Sequence, residues 1–493
     1  MIALLLLALS PVHERYDAAF APRAPEMVAE AIRFPTVAGN DAARAAQKEW
    51  LFRTASSLGL SARDAGTMTE IELSGPAGAP VLGLVVHGDV QPVDEKAWTV
   101  PPFAGVVRDG RIWGRGAADD KGPLIQALLS MAALKEKGPP RTHTVRLLVG
   151  TDEESGSSDV REYLKSHAPP DYTLVLDSAF PVIVGEKAWD GLTVSTDIGE
   201  RAADKPWTVA SVEAGLAPSI VPDRARLVLR WRTGEARWHE IVQRIVAKTP
   251  PAGTRLEITP RGDELEVLAH GRAAHAGVNL SGGRNALVAL ARAVDGELPT
   301  SGADDLLAFV RFAGSDLHGT ALGLPQDRWG GYDVNVATLG THTELAPVED
   351  GNLTLVINLR RPPPLTGAQA RDRLFATVAD FSKRRGARLR PGGYFEDEPL
   401  AFDPNARIVR RLMAAYHRAT GHDDPPAISG GGTYAKRLPR GIAFGMWFPG
   451  KPYPGHDTDE QLPIEDLQRG AHVLIETLLD IACGEPIREP FIP

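Results

Sequence analysis

Three short apolar runs, residues 81–86, 144–149 and 173–176, are each followed at once or within a few residues by histidine or carboxylate side chains. That arrangement limits what this chain can fold into more than any other feature. Runs of this length, rich in Val and Leu and bounded by Gly, Asp or Pro, are how strands look when helices cover both faces of their sheet. In an open α/β sheet the crevice outside the C-terminal strand ends is where ligands bind. His87 and Asp89 follow the first run, Glu153 and Glu154 the second, and Asp177 ends the third. Three strands are therefore expected to deliver these side chains to one rim.

The surrounding pattern agrees with an α/β domain. Helices are predicted over 26–34, 41–58 and 122–135, the last with Pro123 in its first turn, where the missing backbone N–H costs nothing. From about residue 192 the texture changes to longer alternating strands such as 226–231 and 265–270, with a helix at 285–294. In 353–360 Leu353, Leu355, Ile357 and Leu359 share one face, so Asn358 and Arg360 point the other way and predict a half-buried sheet with a polar working face. Residues 362–364 read as a turn or rigid link. Helix and strand alternate again beyond 403, with a helix at 406–420, a strand at 442–447 and a closing helix at 464–481. The expected organisation is a catalytic domain in two pieces, 14–190 and 392–493, with a second domain, 191–391, inserted between them.

At 493 residues and 43% apolar content the chain can bury more than one core, which excludes a disordered or fibrous protein. A net charge of −9 offers no basic footprint for nucleic acid. Cys483 is the only cysteine, so no internal disulfide framework exists and a metal would have to sit on His, Asp and Glu. Residues 2–9 are apolar but too few to span a bilayer. They resemble a signal-peptide core without the basic residues that normally precede one, and fit an N-terminal helix packed on the domain equally well. Cytoplasmic and exported locations both stay open.

The rim residues suit a divalent cation, which takes neutral imidazole and carboxylate oxygens. Asp89 lies two residues after His87, on the same side of the chain, and is expected to accept the proton of the second ring nitrogen. Asp119 and Asp120 precede a helix; one could be its N-cap, but two exceed what capping requires, and a carboxylate there could bridge two cations. In Gly150–Gly156 the acidic residues would repel one another unless cations or water neutralise them. Adjacent side chains diverge, so one of Glu153 and Glu154 can bind metal while the other faces a bound water.

Taken in order, His87-Gly88-Asp89, residues 114–122 and 150–156, Asp177 with Phe180-Pro181-Val182 and Gly185-Glu186-Lys187, residues 430–434, and Gly455-His456 resemble the M20 metallopeptidase family. The likeness is greatest to its PepV-like and carnosinase-like dipeptidase branch and runs from about residue 14. It implies a zinc-exopeptidase-like catalytic domain, a mixed and mostly parallel sheet with helices on both faces, carrying an α+β ferredoxin-like lid. It implies that Asp119 bridges two cations, zinc first with manganese or cobalt as alternatives. His87 and Asp177 would hold one cation, Glu154 and His456 the other, and Glu153 would be the general base. A cis peptide between Asp119 and Asp120 belongs to the same pattern. In the lid, His275 corresponds to a residue contacting the tetrahedral intermediate and Arg360 to one gripping the substrate carboxylate, to which Gly431, Gly432 and Thr433 would present backbone N–H groups. Ser219 departs from the Asn often found three residues before the Pro that is Pro222 here, and its shorter hydroxyl does not reach as far as an amide, so that substrate contact is not carried over.

The implied function is hydrolysis of small peptides by a metal-activated water. An N-acyl-amino-acid deacylase and a carboxypeptidase-like exopeptidase would use the same residues, and an inert peptide-binding protein on a hydrolase scaffold is the alternative outside enzymes. The insert exceeds the roughly 100 residues that one small lid needs. A second lid half completing the site within one chain predicts a monomer.

Overall fold

Val81–His87 is buried at every position after Val81, and two parallel neighbours flank it, Thr144–Gly150 and Tyr172–Val175. In the computed structural model, residues 10–326, 330–341, 352–363, 365–451, 453 and 455–486 are described. These strands belong to a six-stranded sheet whose order runs Ser61–Asp64, Thr69–Leu73, Thr144–Gly150, Val81–His87, Tyr172–Val175 and Gly441–Ala443. The two strands at the first edge pair antiparallel and the rest parallel, giving the mixed, mostly parallel sheet expected. The helix Lys121–Lys137 is buried without interruption from Lys121 to Leu134, as a helix packed on all sides must be. It lies against Ile464–Ile481, Ala24–Ile32 and the N-terminal helix Pro11–Arg15. Val12, Tyr16 and Phe20 bury themselves in this core. Residues 1–9, the apolar run, lie outside the described residues, and no described helix is long and apolar enough to cross a membrane.

The strand expected at 442–447 is broken. Gly441–Ala443 pairs with Tyr172–Val175, whereas Met446–Trp447 pairs with Ser178–Ala179 in a separate two-stranded sheet. Gly445, at φ +73°, makes the turn where any Cβ would run into the Phe180 ring. The segment it pairs with is interrupted at the same level, between Val175 and Ser178, which leaves Asp177 in the break.

Chain contacts separate two units, Met1–Gly185 with Leu400–Pro493 and, as an insert, Glu186–Pro399. The insert is an eight-stranded antiparallel sheet ordered Arg255–Arg261, Glu264–His270, Arg224–Trp231, Trp207–Ala214, Asp333–Gly340, Asn352–Arg361, Ala188–Asp197 and Arg390–Phe395. Its ends lie outside 191–391 because Ala188 and Phe395 are already paired in this sheet. Each half has four strands and two helices, Trp238–Val246 and Ala286–Ala293 in one, Gly302–Ala313 and Gly367–Arg385 in the other. A single register pair, Ala214 with Leu339, joins the halves. Asn352–Arg361 is buried at all ten positions, not on one face only. It is an interior strand, and its polar face is covered as well, with Arg360 stacked over Trp189 of the neighbouring strand at 5.8 Å.

Candidate metal centre

The turn after Thr144–Gly150 is fixed through its backbone. Asp159 accepts from the N–H groups of Thr151 and Asp152 at 2.6 and 3.0 Å, and from the Tyr434 hydroxyl at 2.5 Å. Gly150 leaves room for that pair, since a Cβ there would collide with the Tyr434 hydroxyl. Asp89 accepts from the N–H groups of Glu153 and Glu154 at 3.3 and 3.1 Å. With the backbone held on two sides, the glutamate side chains are left for the rim. The Nδ1 of His87 also faces Asp89, 3.0 Å from its carbonyl and 3.5 Å from its carboxylate.

On the other ring edge, His87 Nε2 is 2.9 Å from Asp119 Oδ1 and 3.9 Å from Asp177 Oδ2. Asp119 Oδ2 faces the opposite way, 3.2 Å from His456 Nε2, which is 2.8 Å from Glu154 Oε2. Donor atoms of His87, Asp119 and Asp177 all lie within 4.8 Å of one another, as do those of Asp119, Glu154 and His456. The two groups share Asp119 and take one of its oxygens each. The Asp119–Asp120 peptide is cis. Asp120 neither caps its helix with its side chain nor joins a donor group; its Oδ2 accepts from the backbone N–H of His87 at 3.1 Å.

The charge balance of this cluster points the same way. Burial would lower the pKa of His87, yet its hydrogen bonds to Asp119 and Asp89 raise it well above the usual imidazole value. Burial likewise opposes ionisation of His456, and Glu154 and Asp119 overcome it. Glu153 is pushed well above the usual carboxylate range by burial and by the charges of Asp177 and Glu154, and Asp177 by burial and by Asp119. Two imidazoles and the carboxyls of Glu153 and Asp177 therefore hold protons more tightly than usual beside Asp119, and a cluster that gathers protons in this way is a donor set divalent cations fit.

Sequence reading missed the support beneath this cluster. Glu460 is fully buried and accepts from Arg115, Gly116, Ala118 and Asp119 at 2.9, 3.0, 2.8 and 3.1 Å. Its only signal was its place four residues after His456. Lys121, inside the 114–122 motif, donates to the Phe34 carbonyl at 2.6 Å, and burial lowers its pKa to about 7.

Near Tyr434, the Gly431 N–H is taken by Ser429 Oγ at 3.0 Å, so it is engaged within its own loop and not presented outward as expected. Thr433 Oγ1 accepts from the Ala435 N–H at 3.1 Å, and Gly432 lies against the Lys436 side chain. His275 and Arg360 belong to the insert. His275 Nδ1 accepts from the N–H groups of Gly277 and Val278 at 3.1 and 3.0 Å, which puts the proton of the neutral ring on Nε2. Arg360 Nε and both amide atoms of Asn358, two residues apart on one strand face, are buried and have no hydrogen-bond partner among the described residues.

A mostly parallel sheet that gathers imidazoles and carboxylates at its rim, interrupted by an α+β insert, is the build of a metal-dependent hydrolase. The chain belongs to the Peptidase family M20/M25/M40, whose profile matches residues 83–480, and it is therefore a hydrolase acting on peptide bonds. Among curated relatives it is 29% identical to "Putative dipeptidase YtjP" of Bacillus subtilis (strain 168), over 82% of this chain and 84% of that protein. It is 27% identical to the Beta-Ala-Xaa dipeptidase of Lactobacillus delbrueckii subsp. lactis, over 83% and 84%. Among solved structures, human carnosine dipeptidase 1 superposes with a TM-score of 0.57 at 12% identity, covering 96% of this chain and 98% of that one. The dipeptidase Dug1p of Saccharomyces cerevisiae gives 0.57 at 14%, covering 95% and 97%. These two likenesses show the fold.

Proposed function

We propose that the protein is a dipeptidase that works with two divalent cations, zinc first among them, one held by His87, Asp119 and Asp177 and the other by Asp119, Glu154 and His456. The main support is the pair of donor groups meeting at Asp119, each of whose atoms lie within 4.8 Å. Relatives named as dipeptidases and matched over four-fifths of the chain support the substrate class. When bound, the cations supply a water of lowered pKa and a Lewis acid for the scissile carbonyl.

Glu153 takes a proton from the attacking water and returns it to the leaving amine. A carboxyl whose pKa is raised by burial and by neighbouring charge is suited to hold that proton between the two transfers. His275, with its proton on Nε2, is a donor for the developing oxyanion. Arg360 is the group that pairs with the substrate carboxylate; its orphaned Nε, beside the orphaned Asn358 amide, is what a bound anion would satisfy. Gly432 and Thr433 are the residues of the 431–433 loop proposed to turn backbone N–H groups to the same carboxylate, since the Gly431 N–H is engaged by Ser429 Oγ. The doubled insert is proposed to let one chain act as a monomer, which light scattering checks.

The deciding experiment is a panel of dipeptides, β-alanyl dipeptides, N-acetyl amino acids and tripeptides assayed on metal-stripped protein, with Zn2+, Mn2+ and Co2+ restored separately. Dipeptides should be cleaved only after a cation is restored. Cleavage confined to N-acetyl amino acids or to longer peptides would replace the dipeptidase assignment.

A further inference from the structure

Two oxygens in the cluster receive a donor that nothing so far explains. Asp119 Oδ2 accepts from the Tyr453 hydroxyl at 2.6 Å, and Glu154 Oε2 accepts from Gln91 Nε2 at 2.9 Å. They are the same two oxygens that approach His456 Nε2. Gln91 Nε2 also lies 3.4 Å from the Glu154 carbonyl, and since both partners are acceptors, the amide nitrogen must face them. On the other side of Asp119 the pattern is absent: among the described residues no side-chain hydrogen bond to Asp177 is found, and Asp119 Oδ1 meets only His87.

We propose that Tyr453 and Gln91 are positioning residues for one cation position only, that of Asp119, Glu154 and His456, where they hold the two carboxylates in ligand geometry. The inference rests on the dinuclear reading above. A carboxylate oxygen has two lone pairs, so a hydrogen bond on one leaves the other for a cation. The donors are neutral, so they orient the oxygens without cancelling the negative charge a cation needs, as Arg or Lys would.

The Tyr453 ring is built into place. It stands edge-on to Trp447 at 6.1 Å, Trp447 Nε1 donates to the Lys451 carbonyl at 3.0 Å, and Lys451 pairs with Asp466 at 2.5 Å. Gly455 leaves room for the ring, for a Cβ there would collide with it.

The test is Co2+ binding to the metal-stripped full chain, followed by calorimetry and visible absorption, in two backgrounds. Asp177→Ala keeps the Asp119–Glu154–His456 position and Glu154→Ala keeps the other. Adding Tyr453→Phe, or Gln91→Leu, to Asp177→Ala should weaken Co2+ binding by about tenfold or more, the usual consequence of losing an outer partner of a ligand. Adding Tyr453→Phe to Glu154→Ala should change it by less than about twofold. No weakening in the first background, or equal weakening in both, overturns the proposal. If a background does not fold, stepwise titration of Tyr453→Phe alone decides: one of two binding constants must fall while the other stays. An unaltered chain that takes up a single Co2+ removes the dinuclear reading itself. Two Co2+ bound identically by the unaltered chain and both single variants remove only the roles of Tyr453 and Gln91.

Discussion

Glu460 accepts the backbone N–H of Asp119 at 3.1 Å, so a carboxylate late in the chain fixes the residue that the two donor groups share. Glu460→Ala would leave the Arg115 guanidinium and three N–H groups buried without their acceptor. Loss of one partner from a buried pair costs about 3–5 kcal/mol. Glu460→Gln, which keeps the shape and one acceptor oxygen, should cost less. Denaturant unfolding measures both, and a loss in Glu460→Ala no greater than that in Glu460→Gln would show that the charge and its bonds do not anchor this loop.

Glu153→Ala tests the assigned base. Turnover should fall by about 100- to 10,000-fold, the range of general acid–base contributions. The cation content should be unchanged, because Glu153 is in neither donor group. Retained turnover, or a variant that loses its cations, would remove Glu153 from that role.

Proton release should accompany cation uptake. His87, His456, Glu153 and Asp177 have raised pKa values in the cation-free chain, so its folded state holds more protons than the unfolded one. Stability of the cation-free chain should therefore fall as pH rises through the range above their unfolded values, about 4 for the carboxyls and about 6.5 for the imidazoles. Cations displace those protons, so their affinity should rise with pH across the same range. Calorimetry in buffers of different ionisation enthalpy counts the protons; uptake without release would contradict the charge balance described above.

Arg360→Met should lower kcat/KM for free dipeptides by about 10-fold or more, since a hydrogen bond to a charged group contributes roughly 1.5–3 kcal/mol. Dipeptide amides, which lack the carboxylate, should lose little. Equal losses on the two substrate types would mean that Arg360 serves the insert's packing and not the substrate.

Regular elements were legible where periodicity is strong. The closing helix expected at 464–481 spans Ile464–Ile481, and the strand that ends in His87 and the one that precedes Glu153 fall where their apolar runs lie. The break at Gly445 was not legible, because it depends on the Phe180 ring, more than 200 positions earlier in the chain. Spacing places Asp89 beside the His87 ring but does not show that its backbone carbonyl, at 3.0 Å, comes nearer than its carboxylate, at 3.5 Å. Glu460, Asp159, Tyr453 and Gln91 act through backbone N–H groups or through other side chains' oxygens. Apart from the Thr151 and Asp152 N–H groups that Asp159 accepts, their partners lie far away in the chain, and sequence alone marks them no differently from solvated polar residues.

The division of this unit around the insert bears on how the protein is made. His87, Asp119, Glu154 and Asp177 are synthesised before the insert, while His456 and Glu460 come after it. During translation the early acidic cluster emerges with neither its second imidazole nor the carboxylate that ties down the Asp119 loop. On the proposed two-cation reading, a polypeptide halted short of residue 456 would have donors for one cation and repulsion where the second belongs, so full occupancy would be reserved for chains that have been finished and closed.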